Sequence, residues 1–376
     1  MNKYFLYLIA AIFVLLPISA VRPMTSLFAD SLGASVTEIG ILTACYSLTP
    51  LLLSVNIGRL VDLIGERIPI LLGASGLILA LVIPYFFPNL TTLYASQLLL
   101  GGSQFLTLVA LQNGLTKSVS SQKRDSAIAT FSLFVSSGMM LGPLIGGYSS
   151  EHIGFKASYL LFFIITIGLI IVGIFIKSTV NSKEITKKER RVKDVITIPG
   201  MKNIFLISML NLAVLDIFYV FFPLYANSIG ISPSEIGWIL TIQSFASIIT
   251  RLYLPMLVHH YGKVKVLRFF MFLGAIAYGS MSFITGFISI AAVSAIFGIG
   301  LGIVQPLTIM ITVYLAPEER MGESLAIRIA GNRLSQTITP LFISGISAIM
   351  GLGYIFIFSA LPLTLCAIMS KKINAE

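Results

Sequence analysis

Charged residues are scarce in this chain of 376 residues: they make up 11% of it, whereas 56% of it is hydrophobic. Soluble domains carry about 25% charged residues, so a soluble globular protein is excluded. Cysteine and histidine are also rare, with two and three copies. Because Cys45 and Cys366 both lie inside apolar segments, no disulfide framework is expected. The sequence contains no His/Cys cluster, so neither a metal site nor another cofactor is predicted.

Long apolar runs fill almost the whole sequence. A helical span needs about 20 apolar residues, and lipid leaves no backbone polar group unsatisfied. The runs are continuous, whereas the strands of a β-barrel would alternate in polarity over segments of about ten residues. We therefore predict an all-α membrane protein with twelve transmembrane helices, at residues 4–28, 37–57, 68–87, 91–115, 126–149, 155–177, 204–227, 235–257, 266–286, 288–314, 324–349 and 352–370.

Basic residues concentrate on one side of the predicted membrane. The segment 177–202 alone carries eight basic residues against three acidic ones, and Lys3, Lys371 and Lys372 mark the two ends. The loops on the opposite side contain only Lys156 as a basic residue. This asymmetry predicts that both termini and the central segment are cytoplasmic. Topology thus accounts for the net charge of +10, and no nucleic-acid partner is predicted.

The sequence repeats itself at a constant offset of 197 residues. The segment 31–40 matches the segment 228–237 at its Ser, Gly, Glu, Ile and Gly positions, and the same offset relates Gly65 to Gly262, Pro143 to Pro340 and Gly154 to Gly351. Parallel repeats of this kind place a binding site near mid-membrane, between the halves. We predict an N-terminal six-helix half (1–177), a basic cytoplasmic linker (178–203) and a C-terminal six-helix half (204–376).

The loop between the second and third runs reads Gly58-Arg59-Leu60-Val61-Asp62-Leu63-Ile64-Gly65-Glu66-Arg67. It resembles the cytoplasmic loop signature of the major facilitator superfamily, which implies two pseudo-symmetric six-helix halves and a transport function. Leu63 and Glu66 depart from the signature, because the family usually has basic residues there. An acid among basic residues can pair across the boundary between the halves. We therefore predict a cytoplasmic latch that consists of Gly58, Arg59, Asp62, Gly65 and Arg67.

The fifth run contains small residues at regular spacing. Its segment Gly138-Met139-Met140-Leu141-Gly142-Pro143-Leu144-Ile145-Gly146-Gly147 resembles the signature of proton-coupled antiporters in that superfamily. Glycines spaced by four lie on one helix face, where another helix can approach closely. The resemblance implies efflux. It also implies that the antiporter-type motif of the fifth helix consists of Gly138, Gly142, Pro143, Gly146 and Gly147. One departure is Gln97, which stands where the fourth helix of the family often carries an Arg implicated in proton coupling.

Five ionisable residues within the predicted spans are candidates, and Asp216 is the only acid well inside; the five are Arg22, Asp216, Arg251, Arg328 and Arg333. By the repeat offset Asp216 corresponds to Ser19 in depth. Arg22 therefore lies about one helical turn nearer the outside of the membrane than Asp216 does. Ionisable residues inside a membrane are costly and are functional candidates by default. In the superfamily the first and seventh helices are symmetry mates that face the cavity, so an Arg22–Asp216 pair is plausible. We predict that this pair opens and closes with proton movement; the alternative is a purely structural ion pair.

Other polar and aromatic residues in the spans are further candidates for the substrate cavity. Arg328 and Arg251 lie near cytoplasmic ends, where a long basic side chain can snorkel to the water. The alternative is that one of Arg328 and Arg333, which do not share a helix face, faces the cavity while the other pairs at the interface between the halves. We expect Arg333 to contact the substrate or the interface between the halves. The remaining cavity candidates are Gln305, which precedes Pro306 at a predicted helix break, and Tyr219 and Phe222 on the seventh helix.

These observations predict a secondary active transporter that works by alternating access. The most favoured activity is proton-coupled efflux of small amphiphilic or anionic molecules; the alternative is a proton-coupled uptake symporter of a small metabolite. A receptor is disfavoured, because it would not need the two-fold repeat. An enzyme is disfavoured, because the sequence offers no combination of a nucleophile with a general base. We expect a monomer in a bacterial-type cytoplasmic membrane, with substrate, protons and lipid as its only partners.

Overall fold

The computed structural model describes residues 3–120, 123–176, 192–317 and 320–373. Within these ranges the chain is helical and contains no β-strand. Most of the predicted linker, residues 178–191, lies outside the described residues. The helices are α1 (Lys3–Ser31), α2 (Val36–Ile64), α3 (Arg67–Phe86), α4 (Leu90–Lys117), α5 (Arg124–His152), α6 (Gly154–Phe175), α7 (Val192–Ile196), α8 (Met201–Ser228), α9 (Pro233–Tyr261), α10 (Lys263–Ser280), α11 (Phe287–Gly302), α12 (Val304–Leu315), α13 (Met321–Met350) and α14 (Tyr354–Met369).

Ten helical segments in the described part of the chain are long and apolar enough to cross a membrane. One of them, Phe287–Leu315, comprises α11 and α12, which are separated by a turn at Ile303. The eleventh and twelfth predicted spans correspond to α13, which is more polar, and to α14, which has 16 residues. The helical fold class is thus confirmed, whereas the count of twelve spans and the cytoplasmic termini stay predictions.

Helix α13 has a polar side that faces the protein interior. Its buried positions include Ser324, Arg328, Asn332, Ser335, Gln336, Ser344 and Ser347. Its exposed large residues are instead apolar, namely Ile329, Leu334, Ile338, Leu341, Phe342, Ile349 and Met350. This is the reverse of a helix on the surface of a soluble domain, where the apolar stripe faces the core. The mean polarity of α13 therefore reflects buried polar groups and not contact with water.

The 197-residue repeat recurs in the local backbone geometry. Helices α2 and α9 begin and end at equivalent positions. Both are preceded by equivalent reciprocal caps, in which Ser35 N donates to Glu38 Oε2 at 2.7 Å and Ser232 N donates to Glu235 Oε2 at 2.9 Å. Three pairs of glycines adopt the same left-handed φ, which other residues rarely tolerate: Gly33 and Gly230 (84° and 86°), Gly65 and Gly262 (76° and 80°), and Gly154 and Gly351 (82° and 99°).

The repeat also recurs in how helices pack. A Cβ added to Gly101 of α4 would lie 2.7 Å from the carbonyl carbon of Tyr46 on α2. A Cβ added to Gly298 of α11 would lie 3.0 Å from the carbonyl carbon of Gln243 on α9. Both residues of the second contact stand 197 positions after those of the first. Each pair of helices therefore approaches at a point where only a glycine leaves enough room.

The chain divides into two compact units. The first consists of Met1–Ile185 together with Ser232–Gly237, and the second of Thr186–Ile231 together with Trp238–Glu376. The first turn of α9 therefore belongs to the first unit, although the rest of that helix belongs to the second.

Candidate functional site

The second unit contains a cluster of buried polar side chains around Arg328, whose exposed fraction is 5%. Arg328 Nη1 donates to Ser208 Oγ at 2.7 Å, to Gln305 Oε1 at 3.0 Å and to Thr308 Oγ1 at 3.2 Å. Ser208 Oγ in turn donates to Asn332 Oδ1 at 3.0 Å. These five residues, which we name the Arg328 cluster, join α8, α12 and α13.

Arg328 does not snorkel to the cytoplasmic water in this structure, because its guanidinium lies among these interior groups. Sequence reasoning found Gln305 but missed the cluster. A signal was available, since Ser324, Arg328, Asn332 and Gln336 recur every four residues and lie on one face of α13. Arg333, the other candidate on this helix, lies elsewhere and its Nη1 donates to Gln336 Oε1 at 3.0 Å.

The helix break between α11 and α12 lies beside this cluster. The sequence predicted a break at Gln305-Pro306, and the turn occurs at Ile303, so that Pro306 falls in the first turn of α12. Proline is tolerated there because the first amide groups of a helix have no partner within the helix. Arg251 Nε donates to the carbonyl oxygen of Gly302 at 2.8 Å, so this side chain satisfies a carbonyl at the end of α11.

Asp216 lies in the middle of α8 and has an exposed fraction of 4%. One turn further along, Tyr219 OH donates to Gln243 Oε1 at 3.0 Å and lies 3.1 Å from Ser244 Oγ. Arg22 belongs to the first unit, where its guanidinium stacks 4.4 Å from the ring centroid of Tyr46. The predicted pairing of Arg22 with Asp216 would join the two units and stays a prediction.

Phe222 belongs to an aromatic cluster inside the second unit. Its ring stacks on Phe218 with centroids 4.8 Å apart, and Phe218 lies 4.8 Å from Phe297. Phe297 stacks in turn on Tyr278 at 4.8 Å. All four side chains are fully buried, so Phe222 packs in the core in this conformation. Its predicted role in a cavity wall stays a prediction.

Gln97 takes part in a buried hydrogen-bonded chain in the first unit. Its Nε2 donates to Thr25 Oγ1 at 3.2 Å, and Thr25 Oγ1 lies 2.7 Å from Tyr159 OH. All three residues are buried. The neutral amide thus donates to the hydroxyl of Thr25 on α1, which in turn contacts Tyr159 on α6, at the position where the resemblance would place an Arg.

The glycine side of α5 packs directly against α1 within the first unit. A Cβ on Gly138 would lie 3.1 Å from Leu15 Cβ, and one on Gly146 would lie 3.0 Å from the carbonyl oxygen of Ala20. Between them, a Cβ on Gly142 would lie 2.5 Å from the carbonyl oxygen of Leu16. Three predicted motif residues therefore share one helix face.

The two other motif residues, Pro143 and Gly147, contact the first turn of α9. A Cβ on Gly237 would lie 2.5 Å from the carbonyl oxygen of Pro143, and one on Gly147 would lie 3.0 Å from Gly237 Cα. Gly237 belongs to the first unit, as do both motif residues. Within the first unit, the motif thus presents small residues to α1 and to the first turn of α9.

The predicted latch loop connects α2 to α3 through Gly65, whose φ of 76° favours glycine. Asp62 is exposed, and its Oδ1 accepts a hydrogen bond from Asn113 Nδ2 at 3.3 Å. Glu66, which departs from the family signature, is fully buried and forms an ion pair with Lys117 at 2.8 Å. Both contacts link the loop to α4 within the first unit.

The sequence profile of the Major Facilitator Superfamily matches residues 7–203 and again residues 204–373. The chain belongs to the major facilitator superfamily. The relatives and solved structures to which this member is similar are transporters of the same type, so it is a transporter and not an enzyme. Together with the ten apolar helical segments of the described residues, this membership makes it a multi-pass integral membrane protein.

Three relatives are similar in sequence to this superfamily member. It is 24% identical over 316 residues to multidrug resistance protein 1 of Bacillus subtilis, a match that covers 80% of this chain and 78% of the relative. It is 22% identical over 362 residues to an uncharacterised major-facilitator-type transporter of Methanocaldococcus jannaschii, with 92% of each chain covered. Quinolone resistance protein NorA of Staphylococcus aureus is 31% identical over 156 residues, which are 40% of this chain and 39% of NorA.

Solved structures of superfamily transporters share the fold. A bacterial homologue of the human lysosomal transporter Spinster, inward-facing and occupied, has a TM-score of 0.79 at 12% identity and covers 99% of this chain and 96% of its own. The nucleoside transporter NupG has a TM-score of 0.82 at 11% identity and covers 99% of this chain and 100% of its own. At these identities the similarity establishes the fold alone.

The ion pair of Glu66 and Lys117 leads to a prediction about stability. We expect Lys117→Ala to destabilise the protein by about 1–3 kcal/mol, because it leaves a buried carboxylate without its charged donor. The double variant Glu66→Gln with Lys117→Met is expected to recover most of that loss, since it removes both charges. Thermal unfolding of the purified protein measures both effects. A double variant less stable than Lys117→Ala would contradict this account.

If the predicted latch acts through the charge of Asp62, transport depends on that charge. Asp62→Asn is expected to reduce transport up to about fivefold, because exposed ion pairs are individually weak, while expression and substrate binding stay intact. Asn113→Ala is the matched control, since it removes the hydrogen bond seen at Asp62 and leaves the charge in place. Initial transport rates in proteoliposomes measure both variants. Unchanged transport in Asp62→Asn, or an equal loss in both variants, would exclude a latch that depends on the charge.

Proposed function

We propose that this major facilitator protein exports small amphiphilic or anionic molecules in exchange for protons, by alternating access. The observation that carries this proposal is the close packing of α5 on α1 at Gly138, Gly142 and Gly146. These glycines belong to the segment that resembles the signature of proton-coupled antiporters. Helices that meet without intervening side chains approach closely, and we propose that α1 and α5 slide past each other as the transporter changes state.

The names of relatives support the direction of transport. Two Bacillus subtilis relatives are multidrug resistance proteins, and NorA is a quinolone resistance protein. Export of a compound from the cell is one way in which a membrane transporter confers resistance. An uptake symporter of a small metabolite is the second candidate, because Gln97 replaces the Arg that the antiporter resemblance implies and donates to the neutral hydroxyl group of Thr25.

Asp216 and Arg22 are the groups that we propose for proton coupling. A carboxylate inside a membrane is costly to keep charged, whereas a nearby guanidinium favours its charged form. In one conformation Asp216 would pair with Arg22 and stay ionised. In the other, separation from Arg22 would favour proton uptake. We place Arg333, Tyr219 and Phe222 at the substrate cavity on the basis of the sequence.

The topology, the oligomeric state and the membrane that we propose are those predicted from the sequence. We propose twelve transmembrane helices in two halves, with residues 178–203 as the cytoplasmic linker and both termini cytoplasmic. The inward polar face and outward apolar face of α13 support counting it as a span despite its composition. We further propose that the protein is a monomer in the cytoplasmic membrane of a bacterial-type cell, with substrate, protons and lipid as partners.

Transport in proteoliposomes under imposed pH gradients of both signs tests this proposal. The panel contains cationic and anionic dyes, antibiotics and carboxylate metabolites, and empty liposomes serve as the control. Antiport predicts that an acidic lumen drives accumulation of a substrate and that a protonophore abolishes it. Accumulation driven only by an alkaline lumen would instead indicate the uptake symporter. Movement of panel substrates that ignores both gradients would contradict proton coupling.

A further inference from the structure

We propose that the Arg328 cluster is the subsite that binds an anionic group, a carboxylate or a phosphate, of the transported molecule. This inference rests on the proposed transport function and names the substrate class at a particular place in the second unit. Arg328 carries a positive charge, and only 5% of the residue is exposed. Groups with such charges are buried in proteins when they are paired or when they bind a ligand.

The hydrogen-bond partners of Arg328 in the described residues are all neutral. They are the hydroxyl groups of Ser208 and Thr308 and the amide oxygen of Gln305. No carboxylate of the described residues lies within ion-pair distance of Arg328. Three neutral oxygens orient the guanidinium but leave its charge uncompensated, which is the state that favours binding of an anion.

Part of the hydrogen-bonding capacity of Arg328 is unused. All three of its hydrogen bonds to described residues start from Nη1, and its buried Nε has no partner among those residues. The planar fork of an arginine binds a carboxylate or a phosphate through two parallel hydrogen bonds. A buried donor without a partner costs about 1–3 kcal/mol. A bound anionic group that accepts from Nε would remove this cost.

Two neighbouring features favour an anion at the same place. Gln305 and Thr308 lie in the first turns of α12, and the N-terminus of a helix carries a partial positive charge. On α8, Asn211 follows Ser208 by three residues and lies on the same helix face. Asn211 is fully buried, and neither its Oδ1 nor its Nδ2 has a partner among the described residues. The surroundings thus offer positive potential and a free amide.

A matched pair of dyes tests whether the subsite recognises an anionic group. Rhodamine B carries a carboxylate, and its ethyl ester, rhodamine 3B, lacks that charge and differs otherwise only by the added ethyl group. Fluorescence anisotropy with the purified protein in nanodiscs measures the affinity for each dye without any gradient. In the wild-type protein, benzoate is expected to displace rhodamine B, whereas uncharged benzamide is not.

Variants of Arg328 assign the effect to this residue. We expect Arg328→Gln to weaken rhodamine B binding at least tenfold and rhodamine 3B binding less than twofold. Arg328→Lys keeps the charge but loses the fork, so its affinity for rhodamine B should fall between those of the wild type and Arg328→Gln. Arg268→Gln is the control, because that residue lies on α10 and bonds Ser370, away from the cluster. It should bind both dyes as the wild type does.

The outcomes separate this inference from the proposed function. Equal loss of both dyes in Arg328→Gln, or wild-type binding that ignores the carboxylate and benzoate, would overturn the anion subsite. If Arg328→Gln does not fold, the benzoate competition and Arg328→Lys decide the question. If the carboxylate preference depends on Arg328 but pH gradients move neither dye, the subsite stands and the antiport proposal fails.

Discussion

Gly142→Leu is expected to reduce transport about 5- to 150-fold, because overpacking a helix contact costs about 1–3 kcal/mol and slows any step that needs this contact by that amount. Even a Cβ at this position would lie 2.5 Å from the carbonyl oxygen of Leu16 and 2.9 Å from the amide nitrogen of Ala20. Backbone atoms cannot move aside as a flexible side chain can. A leucine would therefore wedge α5 away from α1.

Two further glycines serve as matched controls for this prediction. Gly345 lies within α13, and a Cβ added there would meet no atom within 4 Å, so Gly345→Leu should leave transport within about twofold of wild type. Gly138→Ala should be milder than Gly142→Ala, because its nearest contact is at 3.1 Å. Folding is monitored by size-exclusion chromatography and thermal unfolding. A folded Gly142→Leu variant with normal turnover would contradict a role for this contact in the transport cycle.

Asp216→Asn is expected to abolish accumulation of substrate against its gradient while leaving substrate binding and downhill exchange in place. Asparagine has nearly the same shape as aspartate but cannot take up and release a proton. Asp216 is suited to this test because it is the acidic residue buried in the middle of α8. The measurement compares gradient-driven uptake with exchange of labelled substrate at equal pH in the same proteoliposomes.

Arg22 provides the partner test for Asp216. If the two residues pair, Arg22→Ala should destabilise the protein by about 3–5 kcal/mol, because it removes one partner of a buried ion pair. The double variant Arg22→Ala with Asp216→Asn should be more stable than Arg22→Ala alone. Strictly additive losses would exclude the pair. An Asp216→Asn variant that still accumulates substrate would assign proton coupling to another group.

The repeat and the helix-terminating glycines could be predicted from the sequence because they depend on local geometry. Gly33 and Gly230, for example, each occupy a left-handed position that few other residues tolerate. The packing role of Gly142 was also predictable, since glycines at spacings of four share one helix face. In each of these cases the residue type alone restricts what the backbone or a neighbouring helix can do.

The polar contacts could not be predicted, because their partners are distant in the sequence. Arg328 lies 120 residues from Ser208, and only the folded unit brings them within 2.7 Å. Near the membrane surface the same long side chain could equally have snorkelled to water. Glu66 likewise read as a departure from a family signature, although it is the buried partner of Lys117, 51 residues away. Sequence patterns give the helix face, whereas packing decides which groups meet there.

The sign of proton movement during substrate flux tests proton-coupled export most directly. Pyranine trapped in the proteoliposome lumen reports internal pH while a transported substrate is added outside, with no pH gradient imposed. Antiport predicts that the lumen becomes alkaline, because protons leave as substrate enters, and this sign does not depend on how the protein is oriented. Asp216→Asn and empty liposomes should show no change. An acidified lumen, or substrate flux without any change in internal pH, would contradict the account.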